Sequence, residues 1–269
     1  MHFQYIKPTG ILSHFIRHYW VLEADASEGE VCERIIPTGN IELMFHYGDP
    51  FVVNKYSQEE REQPRTFVSG ISSNYADIYT QGTCGLITVT FLPLGACNFF
   101  RFPLNHIEDT IVDMDDLYKE SFKFIEEQIS AAATTIERIA IMENFLLQQF
   151  QPVYKRDLST IQKGVLLVNE SKGQITAKNL ADKLALSPKT LERKFSTLLG
   201  KTPKQFLRIV RFQEVIRRFS QKDYSPLTDY AYTSGYFDQA HFVKDFKALS
   251  GYTPKEFLFK CPSCSDYFF

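Results

Sequence analysis

An internal repeat limits what this chain can fold into more than any other feature. Gly200-Lys201-Thr202-Pro203-Lys204-Gln205-Phe206-Leu207 recurs fifty-one positions later as Gly251-Tyr252-Thr253-Pro254-Lys255-Glu256-Phe257-Leu258, with six of the eight residues identical. Leu191 and Phe195 answer Phe242 and Phe246 at the same offset, whereas Ala181 answers Ala231 at an offset of fifty. The second copy therefore carries one added residue between the alanine and the following helix, where a turn would sit.

Each copy reads as a helix, a tight turn, a second helix and a stop. In the first, Thr176 to Leu184 places Leu180, Ala181 and Leu184 at helical spacing, and Leu186-Ser187-Pro188 breaks the run. Ser187 suits an N-cap because its hydroxyl can take an orphan amide, and Pro188 falls at the first helical position, where no amide is missed. Leu191, Phe195, Leu198 and Leu199 then form a buried face, and Gly200 supplies the left-handed terminal residue. In the second copy Leu227 to Ser234 is the first helix, Gly235 opens the turn, Asp238 caps, Phe242, Phe246 and Leu249 are buried, and Gly251 ends the unit. Thr202-Pro203 and Thr253-Pro254 start the next helices alike, with Arg208 to Phe219 as a linking helix between the copies. A small alanine, a short turn and a second helix with a polar outer face make the helix-turn-helix arrangement, whose second helix enters the DNA major groove.

At Ala231, Gly235, Tyr236-Phe237, Asp238-Gln239, His241-Phe242, Phe246-Lys247, Gly251 and Thr253-Pro254 the chain closely resembles the signature of the AraC/XylS family of bacterial transcription regulators. The resemblance covers roughly residues 159 to 260. It departs in Tyr236, where the family usually has a phenylalanine, and in Lys244, where an arginine is common. The resemblance implies base contacts from Lys189, Glu192 and Arg193 in the first unit, and the equivalent face of the second holds Gln239, Ala240, His241, Val243 and Lys244. Arg193 and Lys244 can donate to guanine O6 and N7, Gln239 can pair with adenine, Glu192 can accept from cytosine N4, and Ala240 or Val243 can meet a thymine methyl. Ser187, Lys194, Lys201, Lys204 and Lys255 are the expected phosphate contacts, which set register without reading sequence.

Charge points the same way. Residues 159 to 260 hold 18 Lys and Arg against 9 Asp and Glu, whereas residues 1 to 158 hold 12 against 22. A basic excess confined to one part of a chain suits phosphate neutralisation and is not needed by an ordinary core.

The expected fold class is α+β, in two parts. Residues 1–150 read as a small antiparallel β barrel or sandwich with following helices, and residues 157–260 as an all-α unit with two helix-turn-helix motifs joined by a linking helix. In the first part, β-rich runs at 19–22, 34–36, 41–45, 51–53, 65–68, 75–79 and 86–92 are spaced by Gly, Pro, Ser and Asn. Leu94 to Phe102 reads as a short helix, and Asp115 to Ala131 and Thr135 to Phe150 as two amphipathic ones. The stripe Ile136, Ile139, Ala140, Glu143, Leu146, Leu147 and Phe150 serves either the core or a dimer interface. Residues 151 to 156 read as an exposed linker. Pro37-Thr38-Gly39 with Glu42-Leu43, and Phe91 to Ala96, resemble the sensor domain that some of these regulators carry before their DNA-binding half.

Glu42 and His46 fall on one face of a predicted strand and are the candidate ligand-binding pair for an effector of unknown identity. No GxxxxGK[ST], GxSxG, HExxH or GxGxxG occurs, so neither a catalytic site nor a cofactor is implied. His14 and His18 share a helical spacing without a third ligand, and five cysteines argue against a disulfide framework. Cys261 and Cys264 form a lone CxxC, half of a zinc site, and no metal centre is expected. Some alkylation-repair proteins join the same helix-turn-helix pair to a methyl-accepting cysteine domain, but the first 80 residues here hold only Cys32. The expected function is a sequence-specific transcription regulator, not an enzyme. The competing reading is a ligand-independent regulator acting by abundance. Double-stranded DNA is the expected partner, RNA polymerase and a second copy of the chain are candidates, and the absence of a signal-like or membrane-spanning run suggests a cytoplasmic location.

Overall fold

The structure, a computed structural model, describes residues 2–54, 60–153, 155–221 and 226–260. Ten strands come first: β1 (His2–Ile6), β2 (Ile16–Ala24), β3 (Val31–Ile35), β4 (Glu42–His46), β5 (Val52–Asn54), β6 (Arg61–Glu62), β7 (Thr66–Ser69), β8 (Ala76–Thr80), β9 (Cys84–Phe91) and β10 (Ile111–Asp113). They form two antiparallel sheets, ordered β1-β2-β9-β4-β7-β10 and β3-β8-β5-β6. Neither sheet closes on itself, so the sandwich alternative holds and the barrel does not.

β9 explains the layering. All eight of its residues are buried, because the larger sheet is covered on both faces. Ile87, Val89 and Phe91 join Tyr19, Val21, Leu43 and Phe45 beneath α2 (Glu120–Ala131) and α3 (Thr135–Gln149), which contribute Phe122, Ile129, Met142 and Leu146. Cys84 and Leu86 face the smaller sheet with Leu22, Val31, Phe51 and Ile78. α3 starts on a full capping box between Thr134 and Glu137. The stripe read on α3 splits accordingly. Ile139 and Leu146 are core and Glu143 accepts the Tyr19 hydroxyl at 2.7 Å, while Ile136 (77% exposed) and Leu147 face outward.

Three sequence expectations are corrected here. The helix read at 115–131 is broken into α1 (Met114–Tyr118) and α2 by Lys119, which takes φ 55°. Residues 94–102 hold only a single 3₁₀ turn, at Ala96–Asn98. The segment after α3 is exposed at Gln151 and Pro152, as a linker would be, but it is pinned, because the buried Asn98 accepts the Gln151 amide on its carbonyl (2.7 Å) and the Val153 amide on Oδ1 (3.2 Å). α4 (Lys155–Glu170) then begins at once, two residues earlier than expected.

The helical half continues with α5 (Ala177–Lys183), α6 (Pro188–Leu199), α7 (Pro203–Ser220), α8 (Leu227–Thr233), α9 (Gln239–Ser250) and α10 (Pro254–Lys260). Local chemistry sets these boundaries. Thr176, Ser187, Thr202 and Asp238 each accept an amide of the helix they precede, and Gly200 (φ 84°) and Gly251 (φ 76°) close α6 and α9. α4, α5 and α6 pack Ile161, Val168, Leu180, Ala181, Leu191 and Phe195 on the start of α7 at Phe206 and Leu207. α8, α9 and α10 pack Tyr230, Ala231, Phe242, Phe246 and Phe257 on its end at Phe212, Val215, Ile216 and Phe219.

The two halves share their cores. Ile36 of the strand half is buried in the second helix-turn-helix cluster, Leu94 in the first, and Ile209 of α7 in the core under the larger sheet. The Gln213 amide also donates to the Pro37 carbonyl.

Candidate nucleic-acid interface

The two turns place the second helix of each unit. In the first, the Leu186 amide returns to the Ala181 carbonyl at 3.0 Å across Ala185, which takes φ 51°. In the second, the Tyr236 amide returns to the Ala231 carbonyl at 2.9 Å across Gly235, at φ 74°. The turns therefore match through Leu186 and Tyr236, and the caps Ser187 and Asp238 match one position later. The added residue of the second copy is Phe237, which lies 87% exposed beside the start of α9. Its neighbour Tyr236 is buried and meets the His241 ring edge-on at 5.4 Å.

On α6, Lys189, Glu192 and Arg193 are exposed on the face opposite the buried Leu191 and Phe195. On α9, Gln239, Ala240, His241 and Lys244 are exposed opposite Phe242 and Phe246, and Val243 is half-buried. Both helices thus present an uncovered polar face, at the side-chain spacing a helix lying in a major groove uses. Helix α7, 18 residues and about 27 Å long, joins the two units. Arg208 on α7 pairs with Asp245 of α9 at 2.5 Å, fixing how the second unit sits on the linking helix. Phe237 was missed as a candidate in the sequence. The one-residue change of offset pointed to it, since an insertion beside a reading helix changes what that helix presents.

Of the expected phosphate contacts, Ser187, Lys204 and Lys255 are exposed at or next to the N-termini of α6, α7 and α10, and Lys194 is half-buried. Lys201 is a correction. It is fully buried, and its ammonium donates to Ser73 Oγ at 2.6 Å and pairs with Glu108 and Asp109 at 3.0 Å each. A group held inside the protein by two carboxylates cannot reach a phosphate.

The candidate effector pair is separated. Glu42 lines a cavity of about 360 Å³ between the larger sheet and α7, with Arg17, Trp20 and Thr90 on the sheet side and Phe206, Ile209 and Gln213 on the helix side. Burial pushes its carboxyl up to about 7, against hydrogen bonds from Thr90 (3.1 Å) and Trp20 and the nearby Arg17. His46, four residues along the strand, lies deeper and outside that cavity. Its Nε2 meets Gln63 Oε1 at 3.0 Å, its ring packs on Phe51 and Phe67, and burial lowers it to about 4. His46 is therefore a packed neutral histidine, a correction to its reading as a ligand contact. Among the described residues no three His, Cys, Asp or Glu side chains converge as metal ligands, and no helix is long and apolar enough to cross a membrane. Cys261 and Cys264 lie outside the described residues.

The described residues thus form an antiparallel sandwich followed by two helix-turn-helix units on one linking helix. Residues 180–259 match a family described as a helix-turn-helix domain, and residues 4–113 match a domain of unknown function, DUF6597. The HTH-type transcriptional activator RhaS of Pectobacterium carotovorum subsp. carotovorum (strain PC1) is 33% identical over 89 residues, covering 33% of this chain and 32% of that protein. RhaS of Pectobacterium atrosepticum matches to the same extent, so the chain spans about a third of the length of these curated relatives. A crystal form of ToxT from Vibrio cholerae is similar in fold over 96% of this chain and 98% of its own, with a TM-score of 0.50 and 11% identity. Residues 180–259 thus carry the helix-turn-helix domain of that family model, and the AraC/XylS resemblance read from the sequence falls on the same residues.

Proposed function

We propose that the protein is a sequence-specific DNA-binding transcription regulator that reads two successive major-groove half-sites, one with α6 and one with α9. The observation that carries this is the pair of solvent-open polar faces on equivalent helices of two repeated units. Lys189, Glu192 and Arg193 read one half-site, and Gln239, Ala240, His241 and Lys244 the other. Ser187, Lys194, Lys204 and Lys255 grip phosphates. Residues 157–260 form the DNA-binding part and residues 1–150 the sensing and dimerising part. The effector site is the cavity beside Glu42, whose wall includes α7, so that occupancy bears directly on the linking helix. That shared wall favours ligand control over action by abundance alone.

RhaS is named a transcriptional activator, and RNA polymerase contact is the matching output for this chain. A homodimer through the outward face of α2 and α3, where Phe124, Ile136 and Leu147 are exposed, would pair the sites. Selection of the full chain on random DNA tests the function. A bipartite site with half-sites about one helical turn apart is expected, with binding that weakens steeply as salt rises. Recovery of no common sequence, or binding indifferent to salt, would sink the reading. The same assay titrated with small molecules reads out the effector, whose influence should vanish in Glu42→Gln.

A further inference from the structure

Each helix-turn-helix unit ends at the same two positions, a left-handed glycine and its successor, and the strand half sits on both pairs. In the first unit a Cβ on Gly200 would stand 3.0 Å from the Leu104 carbonyl oxygen, and Lys201 is buried against Ser73, Glu108 and Asp109. In the second, a Cβ on Gly251 would stand 2.5 Å from the Tyr75 ring, and Tyr252 lies 4.1 Å under the Arg34 guanidinium. That guanidinium also lies over the Tyr75 ring at 4.4 Å. Lys201 and Tyr252 are equivalent positions of the repeat, and Ser73, which receives Lys201, and Tyr75, which meets Gly251, are two residues apart in the loop between β7 and β8. One loop therefore touches both units at the same place.

The loop is itself held. Ile71 is buried in the main core, the Asp109 carboxylate accepts the Ser73 amide, and Asp77 accepts two hydrogen bonds of 2.6 Å from Arg34. On the Lys201 side, Glu108 also accepts the Gln205 amide at 2.6 Å, which ties in the capped start of α7. Besides α7 and its ion pair to α9, the units touch where the Gln174 amide donates to the Thr233 carbonyl at 2.7 Å. Contacts gathered along one helix resist bending better than they resist rotation of one unit about that helix. A second connection away from its axis opposes that rotation.

We propose that the 71–75 loop, with Glu108, Asp109 and Arg34, is a strut that holds the two reading helices at one separation and angle and so restricts the protein to one spacing between half-sites. Lys201, Tyr252 and Arg34 are positioning residues, and none of them touches DNA. The inference rests on the DNA-reading function proposed above. One base pair added between half-sites moves the second by about 3.4 Å along the axis and about 34° around it, which a rigid pair of reading helices does not follow.

The test uses the full chain and the bipartite site it selects, with the spacer lengthened or shortened by one base pair. The parent should prefer its own spacing by about tenfold or more, as for a lost base contact in a specific site. In Lys201→Met and in Tyr252→Ala, that preference should fall to about threefold or less, while Tyr252→Phe keeps it. Thermal unfolding of each variant establishes that it folds. Tyr252→Ala removes one ring and leaves the Lys201 contacts in place, so it carries the test if Lys201→Met does not fold. Equal loss of affinity at every spacing, in a folded variant, overturns the strut. A parent that selects no common half-site overturns DNA reading instead, and that result is known before any variant is made.

Discussion

The two helix-turn-helix units use one scaffold and fasten it to the strand half with opposite chemistries. Both end on a left-handed glycine, both start the next helix with Thr-Pro, and both bury two aromatic or aliphatic residues of the second helix at matching positions. The next residue diverges. Lys201 is an ammonium without solvent contact, held by two carboxylates, whereas Tyr252 is a half-buried ring under a guanidinium. Local chemistry, repeated, builds the unit; what the unit meets across the interface decides the residue that meets it.

The largest effect should come from breaking this contrast at its charged end. Lys201→Met leaves Glu108 and Asp109 facing each other without a cation, a loss that costs about 3–5 kcal/mol for a fully buried pair. Their side chains are 29% and 36% exposed, which lowers the expectation to about 2–3 kcal/mol. Tyr252→Ala removes a stacked ring and should cost about 1 kcal/mol. Urea unfolding of the full chain measures both, and adding Glu108→Gln to Lys201→Met should recover part of the loss. If the Tyr252 variant proved the less stable, the ion cluster would not be the main hold on the interface.

A second contrast lies in reading chemistry. Arg193 on α6 offers a planar fork that can address two acceptors of one guanine, while Lys244 on α9, in the matching part of the second unit, offers a single point charge. Arg193→Ala should change the preferred base at one position and cost about 1–3 kcal/mol there, with weak nonspecific binding retained. Lys244→Ala should lower affinity by about 1 kcal/mol or less and narrow the difference between bases only slightly. Selection from random DNA with each variant separates them. An unchanged site for Arg193→Ala, at every position, would remove α6 from base reading.

Much of this was legible from sequence because it is local. Caps, terminal glycines and the buried stripe of each second helix follow from residues within four positions of one another, and the structure places Ser187, Thr202, Asp238, Gly200 and Gly251 in those roles. An antiparallel strand half also followed from β-rich runs spaced by turn residues, while the choice between barrel and sandwich did not. What did not follow depends on distant partners. Lys201 resembled a phosphate contact because its captors lie about a hundred positions away on a loop and a 3₁₀ turn. Glu42 and His46 share a strand face, yet the depth of each depends on the second sheet and on α7, and so only one reaches the cavity. Lys119 breaks a helix that its side-chain pattern would continue, and Asn98 pins a segment with the composition of a linker.

The smallest expected effect belongs to the residue that only the second unit has. Phe237 is inserted between the turn and the cap of α9, and it is 87% exposed where the first unit passes directly from Leu186 to Ser187. An aromatic ring left in water gives the folded protein little, so Phe237→Ala should leave stability within about 0.5 kcal/mol of the parent. Beside the N-terminus of a helix in the major groove, the ring would lose part of its exposed area to a sugar or a thymine methyl. Partial burial of one ring is worth about 0.5–1 kcal/mol, a two- to fivefold change in affinity. The loss should be confined to sites with an intact second half-site and should vanish when that half-site is scrambled, because the first unit has no counterpart to the ring. Quantitative binding to the intact and scrambled sites measures this difference. Equal losses on both would mean that the ring acts on the fold of α9 or on DNA in general, and the inserted residue would then not distinguish the two units as readers.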